Sequence, residues 1–447
     1  MIKKILSIVL ILAMIISLAA CAGGDDTLTQ PDPSDPVTSE NPEPETNEKQ
    51  IELRTAWFGS VARHEKFNGI MDMFEKENPG IKVIREYSAW TEYFDKLNTQ
   101  IASGNPPDVF QLTPLDLTKY ASKDVLLDLQ PLVDNKEIDL EFWDQKVIDI
   151  GSYDGVLNMI TIGMSAPSTF INGDLVKRLG VPIPTNDMSW EQYKELILEI
   201  QSKMEPGQYA MFDSGGLFDL FVINILQKGK SISKDNDTKL GFEVDDVIAY
   251  LTWWDELRKA GAIPSAEVMS EEGSKPWEDS MMVHGNVAMQ TTNANQLKIF
   301  QSYMEDKVDM LRVPKDPNGS SPYGEVFTGV FLTIPKTSKI PNEAAKLINY
   351  WVNDIEANKI YNFEHGILGS TKVTEALTPQ LTEEDKKVIA HAEEVIKTAP
   401  GTTYRPAAFG SISTAFTAAN DAIAFSKKTI EKAAEDFMIE AQKLLES

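Results

Sequence analysis

Residues suited to holding a polyhydroxylated solute gather in three clusters near the start of the chain: Trp57-Phe58-Gly59-Ser60, Ser88-Ala89-Trp90 with Glu92, and Gln111-Leu112-Thr113. Flat aromatic faces match the C–H faces of saturated rings, and fixed amides, carboxylates and hydroxyls match their hydroxyl groups. Trp57, Phe58 and Trp90 are therefore expected as platforms, with Ser60, Glu92, Gln111 and Thr113 as polar partners. Arg63, close to a helix start, could pair an acidic ligand or a carboxylate of the protein itself.

Signals for covalent chemistry are weaker. Glycoside cleavage needs two carboxylates roughly 5 to 9.5 Å apart, and the many acidic residues leave such a pair open. No Gly-x-Ser-x-Gly or His-Glu-x-x-His motif occurs. The four histidines, His64, His284, His365 and His391, are too scattered for a local metal motif, so neither a metal nor another cofactor is expected.

The elements that must position these clusters have clear boundaries. Phe67, Ile70, Met71 and Phe74 recur at helical spacing, and Asn78-Pro79-Gly80 stops that helix. Ile81 to Tyr87 reads as a strand rich in β-branched residues. Phe94, Leu97 and Ile101 restore the helical period until Gly104, and Pro106-Pro107 precedes a short strand, Asp108 to Leu112. With a strand at Ile51 to Phe58 the order is β-α-β-α-β, the pattern of a parallel sheet whose ligands bind beyond the carboxyl ends of its strands. The three clusters stand at those ends.

The same run resembles the family 1 extracellular solute-binding proteins of bacterial sugar importers. The resemblance rests on Trp-Phe-Gly-Ser-x-x-Arg-His at 57 to 64, the turn Asn78 to Val83, Trp90 with Tyr93 and Leu97, Gly-x-x-Pro-Asp-Val at 104 to 109, and Gln111. Further along, Asn172-Gly173-Asp174 with Leu179-Gly180, and His284-Gly285-Asn286-Val287-Ala288-Met289, are similar to family segments. The resemblance implies an α/β, two-lobed periplasmic-binding-protein-like fold of type II, each lobe a mostly parallel sheet flanked by helices and the two joined by a hinge. It places lobe 1 at 51–162, lobe 2 at 163–326, a return to lobe 1 at 327–362, and C-terminal helices at 363–447 mainly on lobe 2. The first hinge is expected near Ile160 to Ser165. Asp213, Asn293 and Arg405 become site candidates from the second lobe. The implied function is capture of a carbohydrate, in particular an oligosaccharide, for the permease of an ABC importer. Binding of a non-sugar solute such as a polyamine, or a surface-anchored glycosidase, are the alternatives.

Lys3 and Lys4, an apolar run from Ile5 and Leu18-Ala19-Ala20 before Cys21 form a signal-peptide layout over residues 1–20. The run is shorter than the roughly 20 residues needed to span a bilayer. Leu-Ala-Ala-Cys resembles a bacterial lipobox, which implies lipidation of Cys21, the only cysteine. Residues 21–50 are rich in Pro, Asp, Glu, Thr and Ser and are expected to form a disordered tether on the outer face of the cell membrane. Net charge is −26. That argues against nucleic acid, whose phosphates need clustered Lys and Arg.

Overall fold

The computed structural model describes residues 50–235, 237–272, 275–398 and 404–446. The signal peptide, Cys21 and the tether up to residue 49 lie outside the described residues. Lys49–Ser447 forms one compact unit.

The N-terminal elements follow the sequence periods closely. Strand β1 (Ile51–Phe58), helix α1 (Val61–Glu77), β2 (Ile81–Ser88), α2 (Trp90–Ala102) and β3 (Val109–Leu112) occur in the order expected, followed by α3 (Pro114–Ala121). Helix α1 starts at Ser60, whose hydroxyl accepts the Arg63 N–H, and buries Phe67, Ile70, Met71 and Phe74 on one face. Gly104, with φ of 72°, occupies the left-handed position after α2 that a β-carbon would strain.

The first sheet has the order β2-β1-β3-β9-β4, where β4 is Ile160–Ser165 and β9 is Thr328–Thr333. Strands β1, β2 and β3 are parallel, but β9 runs antiparallel to both β3 and β4. The second sheet has the order β8-β5-β7-β6, built from β5 (Pro167–Asn172), β6 (Tyr209–Met211), β7 (Val287–Asn293) and β8 (Val308–Leu311). Only β6 and β7 pair parallel there; β5 is antiparallel to β7 and β8. Four of the five strands in the first sheet and three of the four in the second therefore point the same way, the mostly parallel arrangement expected in each lobe, with β9 and β5 as the exceptions. The strands that break it adjoin the crossings: β5 continues β4 after the single residue Ala166, and β9 returns from the other lobe, so neither is reached through a covering helix.

Three apolar clusters match this division. The first surrounds Trp57, Phe67, Phe110, Phe331, Trp351 and Tyr361. The second surrounds Phe218, Phe221, Phe242, Trp254, Phe416 and Phe437. The third joins Met164 of β4, Ala166 and Phe170 of β5 to Val388, Ala392 and Val395. Each such large side chain fully buried contributes about 1.5–3 kcal/mol. The lobes are therefore separately cored, with a smaller cluster at the crossing.

The chain passes between the lobes at Ala166, in the stretch Arg312 to Phe327, and again after Leu377, which still packs with the first core. The closing helices, Phe409–Ala424 and Ile430–Leu445, bury Phe416 and Phe437 in the second core. In the middle crossing, Arg312 and Glu325 form an ion pair with both side chains fully buried, at 2.7 Å. The Arg312 guanidinium lies 3.8 Å from the Tyr323 ring centre.

Candidate ligand cleft

Two cavities meet at Val326, on the middle crossing just before β9. The first, about 340 Å³, is walled by lobe 2: Pro167 at the start of β5, Phe212-Asp213-Ser214 after β6, Gln290 to Asn293 at the end of β7, and Leu217, Asp219, Leu220 and Ile223. Those last residues open helix α4 (Phe218–Gln227), and Leu217 is its N-cap. The second cavity, about 410 Å³, is walled by lobe 1: Pro114, Leu117 and Thr118 of α3, and the segment Asp149 to Gly155. Tyr404 and Arg405 complete it.

The Asp154-Gly155 turn is a two-residue hairpin between Ser152-Tyr153 and Val156-Leu157. Both turn residues have positive φ, 50° and 78°, as the sequence signal requires. The turn brings the Tyr153 ring to 6.3 Å from that of Tyr404. Two aromatic faces from different parts of the chain thus border one cavity.

Salt bridges order the charged groups. Asp213 accepts from Arg258 Nη2 at 2.7 Å and from the Gly215 N–H at 2.9 Å. Asp219 of the first cavity accepts from Arg405 Nη2 of the second at 2.9 Å, tying the cavities together. Arg405 is only 4% exposed, and its guanidinium lies 4.6 Å from the Phe409 ring centre. Burial lowers the Arg405 pKa, against the opposing pull of the Asp219 charge. Ser214 Oγ, Gln290 Oε1 and Arg405 Nε have no hydrogen-bond partner within the protein. Asn293 Oδ1 accepts from Thr328 Oγ1 at 3.3 Å.

Of the residues singled out by sequence, Asp213 and Asn293 line the first cavity and Arg405 the second. The strand-end platforms require correction. Trp57 is 1% exposed, stacks on Tyr87 at 4.9 Å and donates to His64 Nδ1 at 3.1 Å. Phe58 is buried beneath Trp90, 4.6 Å between ring centres. Strand β1 is flanked by β2 and β3 and covered on both faces, so the side chains at its end turn into the core. Trp90 is 49% exposed and remains an open ring, though it does not line either cavity. Glu92 is exposed in the first turn of α2.

The polar candidates at these ends are taken by the fold. Ser60 caps α1. Thr113 caps α3 in a reciprocal box with Asp116, its hydroxyl 2.8 Å from Asp116 Oδ2. Gln111 is fully buried, with Oε1 accepting the Phe58 N–H at 3.3 Å and Nε2 without a partner. Arg63 pairs Glu364, a carboxylate of the protein itself, at 3.2 Å. Tyr153, Asp154 and Asp219 were not anticipated as cleft residues. An Asp-Gly pair is a hairpin signature, but nothing local shows that the residue beside it would face Tyr404. Among the described residues no group of three or more His, Cys, Asp or Glu side chains could hold a metal ion.

Two separately cored lobes, joined by repeated crossings around a polar cleft with aromatic edges, define a solute-binding fold. Residues 69–389 match the family model described as Bacterial extracellular solute-binding protein, and the chain belongs to that family. Among solved structures it is similar to an extracellular solute-binding protein of family 1 from Alicyclobacillus acidocaldarius, with 26% identity and TM-score 0.72, covering 89% of this chain and 99% of that one. It is also similar to an ABC substrate-binding protein from Listeria monocytogenes in complex with cycloalternan, at 23% identity and TM-score 0.74, covering 88% and 98%. A third is a periplasmic oligogalacturonide-binding protein from Yersinia enterocolitica in complex with saturated digalacturonic acid, at 22% identity and TM-score 0.75, covering 89% and 99%.

Proposed function

We propose that the protein captures an oligosaccharide between its lobes and delivers it to the permease subunits of an ABC importer, held to the outer face of the membrane by a lipid on Cys21. The observation that carries this reading is the cleft at Val326: the polar side chains of Asp219, Thr292 and Asn293 line one side, and the rings of Tyr153 and Tyr404 stand on the other. Such a mixture serves a ligand with alternating hydroxyl edges and apolar faces. The glycan complexes solved for similar folds support it. Closure of the lobes on the ligand would shift the population toward a closed form.

The test is thermal unfolding of Lys49–Ser447 against neutral and uronic oligosaccharides, polyamines and divalent metals, with the glycans recovered afterwards. A ligand at one hundred times its dissociation constant stabilises the fold by about 2.7 kcal/mol. A shift with a glycan recovered intact supports capture. A shift confined to polyamines favours the cationic-solute alternative, and turnover of the glycan favours the glycosidase.

A further inference from the structure

Resting on the carbohydrate reading above, we propose that the cleft selects neutral glycans and rejects uronic ones, with Asp219 as the residue that sets the choice. Among the described residues, the charged side chains lining the two cavities are Asp149, Asp154, Asp213 and Asp219 against the single cation Arg405. A glycan carboxylate entering this cleft would meet the exposed Asp149 and Asp154, which form no ion pair among the described residues, on one wall and the Arg405-paired Asp219 on the other, and like charges brought together across an interface are costly.

The one cation is already committed. Arg405 gives Nη2 to Asp219, packs its guanidinium on Phe409 and is almost wholly buried. Asp219 is the exposed member of the pair, with a side chain 54% exposed. It therefore turns carboxylate oxygen toward the cleft while occupying the one lining cation that could pair a glycan carboxylate. Arg258, which pairs the lining residue Asp213 at 2.7 Å, also meets Asp255 at 3.3 Å and lies outside the lining. Arg63, the sequence candidate for an acidic sugar, is spent on Glu364. A neutral oligosaccharide needs no counter-charge and can use the carboxylate oxygens as hydroxyl acceptors.

The experiment measures dissociation constants of Lys49–Ser447, the unit that contains all three apolar clusters, for size-matched neutral and uronic oligosaccharides by calorimetry at low and moderate salt. The wild type should bind the neutral series more tightly by on the order of tenfold or more, with the gap narrowing as salt rises. Asp219→Asn should release Arg405 and improve uronic binding by roughly tenfold relative to neutral binding. Asp154→Asn is a second variant that avoids the buried pair, because asparagine tolerates the positive φ of 50° at that turn. It should shrink the discrimination in the same direction. Wild-type preference for uronic glycans, or an unchanged ratio in both folded variants, would overturn the charge assignment while leaving carbohydrate capture standing. Absence of binding to every glycan by folded protein would remove the carbohydrate reading, and this inference with it.

Discussion

Replacing Glu325 by Gln removes one charge from an ion pair that has no access to water. Arg312 Nε donates to Glu325 Oε1 at 2.8 Å, and both side chains are fully buried. The variant would leave the guanidinium facing a neutral amide and the more distant, half-exposed Glu394 at 3.5 Å. Breaking a buried pair by removing one partner costs about 3–5 kcal/mol, because the remaining charge has lost its water and gained nothing in return. With an unfolding entropy of about 2 cal/mol/K per residue, roughly 400 residues give about 0.8 kcal/mol/K, so Tm should fall by about 4–6 °C. A double variant, Arg312→Met with Glu325→Leu, removes both charges and should recover most of that loss. Differential scanning calorimetry of the three proteins makes the comparison. A fall below about 1 °C for E325Q, or a double variant no better than the single, would refute the reasoning that this crossing is held by a mutually dependent charge pair.

His391, buried against the Pro167 carbonyl at 3.2 Å, is pushed down from 6.5 to about 4 chiefly by burial. Its folded pKa lies below its unfolded one, so stability is complete above about pH 6.5 and falls toward pH 4; the loss is about 1.4 kcal/mol per pH unit, or about 2 kcal/mol by pH 5. His391→Gln should flatten a Tm profile measured over that window. Gly366 has φ of 103°, and a β-carbon there would stand 2.0 Å from the Met164 carbonyl oxygen. Gly366→Ala should cost about 1–3 kcal/mol in chemical denaturation. Tyr404→Ala should weaken glycan binding roughly 2- to 10-fold in calorimetry, the value of one aromatic contact. Cys21→Ser should move the protein from the membrane fraction to the soluble fraction of its host, as read by fractionation and immunoblot.

The N-terminal half of lobe 1 was legible because its apolar periods change where helices and strands change. Phe67 to Phe74 and Phe94 to Ile101 repeat at helical spacing, and Pro79, Gly80, Pro106 and Pro107 separate them from strands. Family motifs supplied the two-lobed plan. Strand direction beyond β3 was not readable, because β9 enters the first sheet between β3 and β4 from more than 200 residues downstream of β3. Trp57 shows why the candidate site was only partly visible. A strand end marks where a ligand crevice opens, yet whether its last side chains face solvent depends on neighbouring strands and helices. Here Tyr87, Phe67 and His64 enclose the ring. Asp213, Asn293 and Arg405 came from the family plan, and the structure brings them to one cleft. Asp219, which pairs Arg405, and Tyr153, which faces Tyr404, lie far in sequence from those partners and had no local mark of function.

A crystal structure of Lys49–Ser447 with the glycan that most raises its Tm tests the central claim most directly. Capture between the lobes predicts an intact oligosaccharide there, within hydrogen-bond reach of Asp213 or Asn293 and in contact with Tyr153 or Tyr404. A glycan bound on the outside of either lobe, or cleaved within the cleft, would contradict it.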